Sequence, residues 1–125
     1  MKKEKIIIAK NFFTEINPVA EWRFEDVQKE VEKAINDFPY TDIEDEDIKE
    51  IVENIIKDKL YEVFKDAIIT ASTEEENKDK RGTDHVAGEW SFLAYERGEK
   101  FSTEQDIYDS VKDDVEYARY TLTND

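Results

Sequence analysis

Few residues in this chain are of types that do chemistry, and their spacing suits little of it. His85 is the only histidine. On a helix it would stand one turn before Glu89, the spacing that sets two metal ligands side by side. Without a second histidine or a cysteine the ligand set stays incomplete, and a polar residue of a loop or first helical turn is the plainer reading. Asp42, Glu44, Glu46 and Glu53 partly match the oxygen-ligand spacing of a calcium loop. That loop needs glycine at its sixth position, where this chain has Asp47. Gly82, Gly88 and Gly98 do not form a phosphate-binding loop opening a helix. The absence of cysteine removes thiol nucleophiles, thiolate metal sites and disulfides. Carboxylate pairs for acid–base hydrolysis can be chosen in so many ways that no choice is informative. We expect no catalytic residue, no metal and no cofactor, and a protein that acts by binding.

The carboxylates themselves are the stronger signal. The 125 residues carry 33 acidic and 18 basic side chains, a formal net charge of -15. Such a charge costs stability by self-repulsion and makes nucleic acid and anionic membranes poor partners. Suitable partners are positive: a basic protein groove, a metal ion, or a protein that normally holds nucleic acid. Between residues 37 and 53, eight acids accompany one base, Lys49; between 104 and 116, six accompany Lys112. The seven acids in residues 42–53 amount to about one charge per 2.6 Å of helix axis, against roughly 3.4 Å for one DNA strand and 1.7 Å for the duplex. The candidate partner-binding residues are Asp42, Glu44, Asp45, Glu46, Asp47, Glu50 and Glu53, with Asp106, Asp109, Asp113, Asp114 and Glu116. Acids near helix starts also complement the helix dipole. That alone accounts for residues 44–47 and 104–106, though less well for the segregation of charge along the chain.

The elements that must carry these residues are read from periodicity. The length suits one acidic domain, residues 1–125. Lysines precede a short apolar run, residues 6–9, too brief to export or anchor the chain, and no segment approaches a membrane span, so a cytoplasmic protein is expected. In residues 1–20, Ile6, Ile7 and Ile8 favour a strand, whereas Ile8, Phe12 and Ile16 at i, i+4 and i+8 suit a helix; the strand is preferred. From Glu21 to Pro39, Phe24, Val27, Val31 and Ile35 make a helical stripe. Thr41 or Asp42 is then placed to cap a long helix over residues 44–71, with Ile48, Ile51, Val52, Ile55, Leu60, Val63, Phe64, Ala67 and Ile68 as its stripe. Residues 73–84, TEEENKDKRGTD, read as an exposed loop. Residues 85–97 suit either a helix closed by Gly98 or a strand through Trp90 and Tyr95. Ser102 and Gln105 form a capping-box pattern opening a last helix, with Ile107, Val111, Val115, Ala118 and Leu122 inward. The expected class is mainly α, amphipathic helices around one core with a long central helix. The alternative is α+β, with residues 5–10 pairing with 89–96.

Two segments are similar to a known family. FEDVQKEVEKAINDFPYTDIEDEDIKEIVENIIKDKLYEVFKDAIITAS resembles the central part of the Ocr-like (overcome-classical-restriction) acidic antirestriction proteins of phage T7 and related phages. Phe24, Glu25, Tyr40, Asp42, Ile43, Asp45, Asp47, Asp66, Ala71 and Ser72 fall on that pattern. QDIYDSVKDDVEYA resembles the family's last helix through Ile107, Tyr108, Asp109, Val111, Asp114 and Val115. The two cover a little over half of the chain; DKLYEVF stands where the family has Val-Pro and paired aromatics, and the family's very acidic tail is absent. The resemblance implies a mainly helical homodimer whose carboxylates imitate DNA phosphates. Such a protein would occupy the basic DNA channel of a type I restriction-modification enzyme or another defence complex.

Other readings stay open beside it. One is an inhibitor, such as an anti-CRISPR, acting through a shaped patch; another is an antitoxin-like regulatory partner of a basic protein; an enzyme ranks last. Trp90, Phe92 and Tyr95 have the composition of a self-association surface, although packing inside the monomer explains them more simply.

Overall fold

The longest apolar stripe of the sequence becomes the longest element. The computed structural model describes residues 2–39, 42–74 and 83–123. Among them the chain forms α1 (Lys2–Ile16), a 3-10 turn (Phe24–Asp26), α2 (Gln28–Asn36), α3 (Asp45–Glu74), α4 (Thr83–Glu96) and α5 (Glu104–Thr123), with no strand. The protein is mainly helical, and none of these helices is long and apolar enough to cross a membrane. Of the expected loop, residues 73–74 belong to α3 and 83–84 to α4; residues 75–82 lie outside those described.

The N-terminal segment preferred as a strand is a helix, and residues 85–97 take the helical of their two readings. In α1, Ala9 and Phe13 are buried one turn apart, with Ile6, Ile8, Phe12 and Ile16 packed around them. A helical period kept over four turns outweighs the β preference of three isoleucines, because tertiary burial dominates propensity. In α4 the inward residues Ala87, Ser91 and Ala94 are small and buried, which lets the helix approach α3 closely. Its end is a Schellman turn: the Gly98 N–H donates to Tyr95 O and the Glu99 N–H to Ala94 O, both at 3.0 Å. Gly98 takes φ 69°, a left-handed conformation that suits glycine.

The 30 residues of α3 span about 45 Å, and two pairs of helices share the covering of it. The α1 side chain of Lys5 donates to Ile43 O at 3.2 Å, just before α3 begins, and the Phe13 and Phe24 rings meet edge to face at 5.9 Å. So α1 and α2 flank the first half of α3. Along the second half, Lys57 lies over the Tyr95 ring and Lys65 pairs with Asp84, so α4 runs antiparallel. Phe64 meets Phe101, and Asp66 faces Tyr108, so α5 runs in the direction of α3. This change of partners explains the stripe. Ile48, Val52, Leu60, Val63, Phe64, Ala67 and Ile68 are buried as expected, Ile51 and Ile55 are half-buried, and the fully buried Ile56 was missed because the buried side rotates at mid-helix.

The two halves are joined at the middle of α3. Residues 18–21 lie along 101–102: Ala20 N–H donates to Phe101 O at 2.8 Å, Glu21 N–H to Ser102 O at 3.0 Å, and Phe101 N–H to Pro18 O at 2.7 Å. The buried Trp22 donates through Nε1 to Glu104 Oε2 at 3.3 Å, and Glu21 Oε1 accepts from the Glu104 N–H at 2.7 Å. This is where strand-like pairing occurs, rather than between 5–10 and 89–96. It also shortens the expected helix from Glu21: a 3-10 turn intervenes and α2 starts at Gln28, while Phe24, Val27 and Val31 keep their buried positions.

Helix starts differ in detail from expectation. At α3, the Glu44 N–H is satisfied by Asp47 Oδ2 at 3.0 Å, three residues ahead, and not by a cap from Asp42; Thr41 lies outside the described residues. At α5 the reciprocal pair is Thr103 and Asp106, one residue later than Ser102 and Gln105. Gln105 reaches Asp109 instead, at 3.0 Å. Ile107 and Val111 are buried and Val115 packs against them; Ala118 and Leu122 are on α5, their side chains outside the described set. Because Ile56 is fully buried in the core at mid-helix, Ile56→Ala is expected to cost about 2–5 kcal/mol, read as a lower urea midpoint with an unchanged slope.

Candidate functional site: the acidic faces of α3 and α5

Metal and pocket chemistry find little support in the geometry. His85 Nε2 stands 3.9 Å from Glu89 Oε2, both side chains well exposed. No group of three potential ligands occurs among the described residues. Nor does any described buried side-chain nitrogen or oxygen lack a hydrogen bond, so no polar group is aimed unsatisfied into an interior site.

The predicted acids divide by task. Asp42, Glu44, Asp45, Glu46 and Glu50 are exposed. Asp47 caps α3, and Glu53, half-buried, accepts the Tyr95 hydroxyl hydrogen bond. Burial first, and then that bond and the Glu53 charge, push the Tyr95 phenol up to about 12. On α5, Asp106 is tied to the Ser102 and Thr103 amides, while Asp109, Asp113 and Asp114 face solvent. Glu116 lies on α5 with its side chain outside the described set. Tyr108 is also pushed up, by burial first and then by the Asp66 and Glu104 charges.

The two acidic segments do not adjoin. The start of α5 lies beside the middle of α3, at the level of Lys59, whose ammonium is 5.1 Å from the Trp22 ring. From Asp45 to that level is about 21 Å of helix. What connects the segments is a row that sequence reasoning missed: Glu50, Asn54, Asp58, Glu62 and Asp66, spaced by four and all exposed. Rows of this spacing slant across a helix. This one runs from the start of α3 toward α5, where the Asp66 charge faces Tyr108.

Sequence counting hid the row because Lys57, Lys59 and Lys65 alternate with it. In the structure Lys57 and Lys59 lie against aromatic rings, and Lys65 pairs with Asp84 while also feeling the charge of Glu62. Lys57 lies 4.8 Å from the Tyr95 ring, Lys59 over Trp22, and Lys65 Nζ 3.5 Å from Asp84 Oδ1, which raises the Lys65 pKa. Asp58, Glu62 and Asp66 form no ion pair with a described residue. The i, i+4 spacing was the available signal.

Of the aromatic candidates, Trp90 and Tyr95 pack against the core, as in the simpler reading, while Phe92 is 52% exposed. Compared with protein-family models, curated proteins and solved structures, the chain matches none.

Two expected outcomes test this description. Asp58→Asn, Glu62→Gln and Asp66→Asn together should leave thermal stability unchanged or raise it, since they relieve repulsion and break no pair; a loss above about 1 kcal/mol would assign these acids to the fold. For Tyr95, a folded-state pKa of about 12 against 10.0 unfolded means its stabilisation is complete below pH 10 and lost as pH rises through 12. The stability gap between the wild type and Tyr95→Phe should therefore narrow over that range in urea titrations.

Proposed function

We propose that the protein is a DNA-mimic inhibitor that occupies the basic DNA channel of a host defence enzyme. A type I restriction-modification enzyme, or a similar DNA-binding complex, is the target class, as for the Ocr-like proteins that two of its segments resemble. The observation that carries this reading is the exposed row Glu50, Asp58, Glu62 and Asp66, which runs from the acids at the start of α3 toward α5 and forms no ion pair with a described residue, while Lys57 and Lys59 lie against aromatic rings and Lys65 pairs with Asp84. A surface serving solubility alone gains nothing from withholding its own lysines. A surface meant for a basic cleft gains steering and charge complementarity. It is also preformed on helices, so docking avoids the deformation energy of bent duplex DNA. No catalytic residue is required, and the site of action would be the bacterial cytoplasm.

A second reading, an inhibitor of the anti-CRISPR kind acting through a shaped patch, is favoured by the exposed Phe92 on α4. Aromatic side chains of this sort anchor interfaces. The two readings differ in which substitution matters. Added to a type I restriction enzyme with unmodified DNA, the protein is expected to block cleavage, with potency falling steeply as salt or competing duplex rises. The Asp58→Asn, Glu62→Gln, Asp66→Asn variant should lose tenfold or more, and Phe92→Ala little. In a pull-down from bacterial lysate, a partner indifferent to duplex DNA and sensitive to Phe92→Ala would transfer the function to the patch.

A further inference from the structure

A pocket of about 180 Å³ opens between the second half of α3, the end of α4 and α5. Phe64, Trp90 and Phe101 line it, with the Phe64 and Phe101 rings edge to face at 6.4 Å. Phe64 is buried, and Trp90 and Phe101 are half-buried, so the aromatic surface lies inward. Three charged side chains complete the lining: Arg97, Glu99 and Asp114. The turn that closes α4 places the first two, since the Arg97 N–H donates to Leu93 O at 2.9 Å and the Glu99 N–H to Ala94 O at 3.0 Å. Asp114 comes from the exposed side of α5.

The charges choose the ligand. Arg97 Nη1 is 3.9 Å from Glu99 Oε1, and the Arg97 side chain is 69% exposed. Such a pair is loose and turned to solvent. Asp114 forms no ion pair with a described residue. One arginine against two carboxylates leaves the lining with a single net negative charge. A monocation neutralises it, an anion doubles it, and a zwitterion leaves it as it was. The faces of aromatic rings attract cations as well, and this chain already sets Lys57 over Tyr95 and Lys59 over Trp22. Of the monocations a protein surface offers, a guanidinium suits the pocket better than an ammonium. It is planar and weakly hydrated, so it stacks on a ring at lower cost, and its fork of N–H groups matches a carboxylate.

We propose that this pocket seats an arginine side chain of the protein partner, with its guanidinium against Trp90 and its N–H fork toward Asp114. This seat rests on the proposed function only in taking the partner to be a basic protein. It adds what an exposed acidic row lacks. The row attracts any basic surface, whereas a pocket selects a partner that presents an arginine in register, and arginine is among the residues that most often anchor interfaces.

The pocket can be tested without any partner by titrating N-acetyl-argininamide into the full chain, to about 100 mM at constant ionic strength. The NMR signal of the Trp90 indole N–H should shift saturably, with a dissociation constant in the millimolar range. That of Trp22, buried and bonded to Glu104, should stay in place. Asp114→Asn should weaken binding about threefold or more, and Arg97→Gln, which removes the resident cation, should tighten it by a similar factor. Both positions are exposed, so helical circular dichroism should not change. The absence of a saturable shift overturns the proposal. So does N-acetyl-lysinamide binding as tightly, since the site would then not distinguish a guanidinium, and so does free arginine binding about tenfold more tightly than the capped form, which would make this a site for the free amino acid. No defence enzyme is present in the titration, so its failure leaves the DNA-mimic reading standing, and a failure to inhibit such an enzyme leaves the titration result standing.

Discussion

A helix of 30 residues has more apolar surface than any one neighbour in this chain can cover, and the fold follows from that constraint. Helices α1 and α2 take the first half of α3, α4 and α5 the second. Each group packs on a different sector of α3, which is why burial shifts from Ile48 and Val52 through Ile56 to Phe64 and Ile68. The remaining sector of α3 is left to solvent. It is there, and on the outer face of α5, that the acids can gather without being covered.

The junction at mid-helix makes one body of the two groups. Backbone bonds between residues 18–21 and 101–102 bring together loops that would otherwise be separate surface connections. Trp22 is the centre of this junction: buried, bonded to Glu104, and covered by the Lys59 ammonium. One lysine thus serves packing through its stem and ring contact while forming no ion pair with Asp58 or Glu62 beside it. Structural and electrostatic roles are therefore coupled through the same three lysines of α3.

Much of this was legible in the sequence, for physical reasons that can be named. The stripes of α2, α3 and α5 were readable because a 3.6-residue period repeated over several turns has few competing explanations. The run Ile6–Ile7–Ile8 misled and the aromatic segment from Trp90 to Tyr95 left helix and strand undecided, because β-branched and aromatic residues also satisfy a strand, and the deciding contacts with α3 are distant in sequence. The capping residues shifted by one or two positions since Asp47 and Asp106 reach back to amides that precede their helices. The acids at the start of α3 stood out by count. The row through Asp58, Glu62 and Asp66 did not, because sequence reports how many lysines lie nearby and not which ring or carboxylate holds them.

The pairing of Val19 with Phe101 spans 82 residues of chain, and that separation affects how the protein is made. Closing so long a loop carries an entropic cost that grows only slowly with length but must be met before its contacts form. On the ribosome, α1 and α2 are made before α5, and Val19 and Trp22 lack the cover of residues 101–104 until those follow. The junction around Trp22 must therefore wait for a segment made some 80 residues later. The acids that dominate the intervening segments repel one another between chains, so the same charge that costs the folded state stability opposes association while that junction is still open.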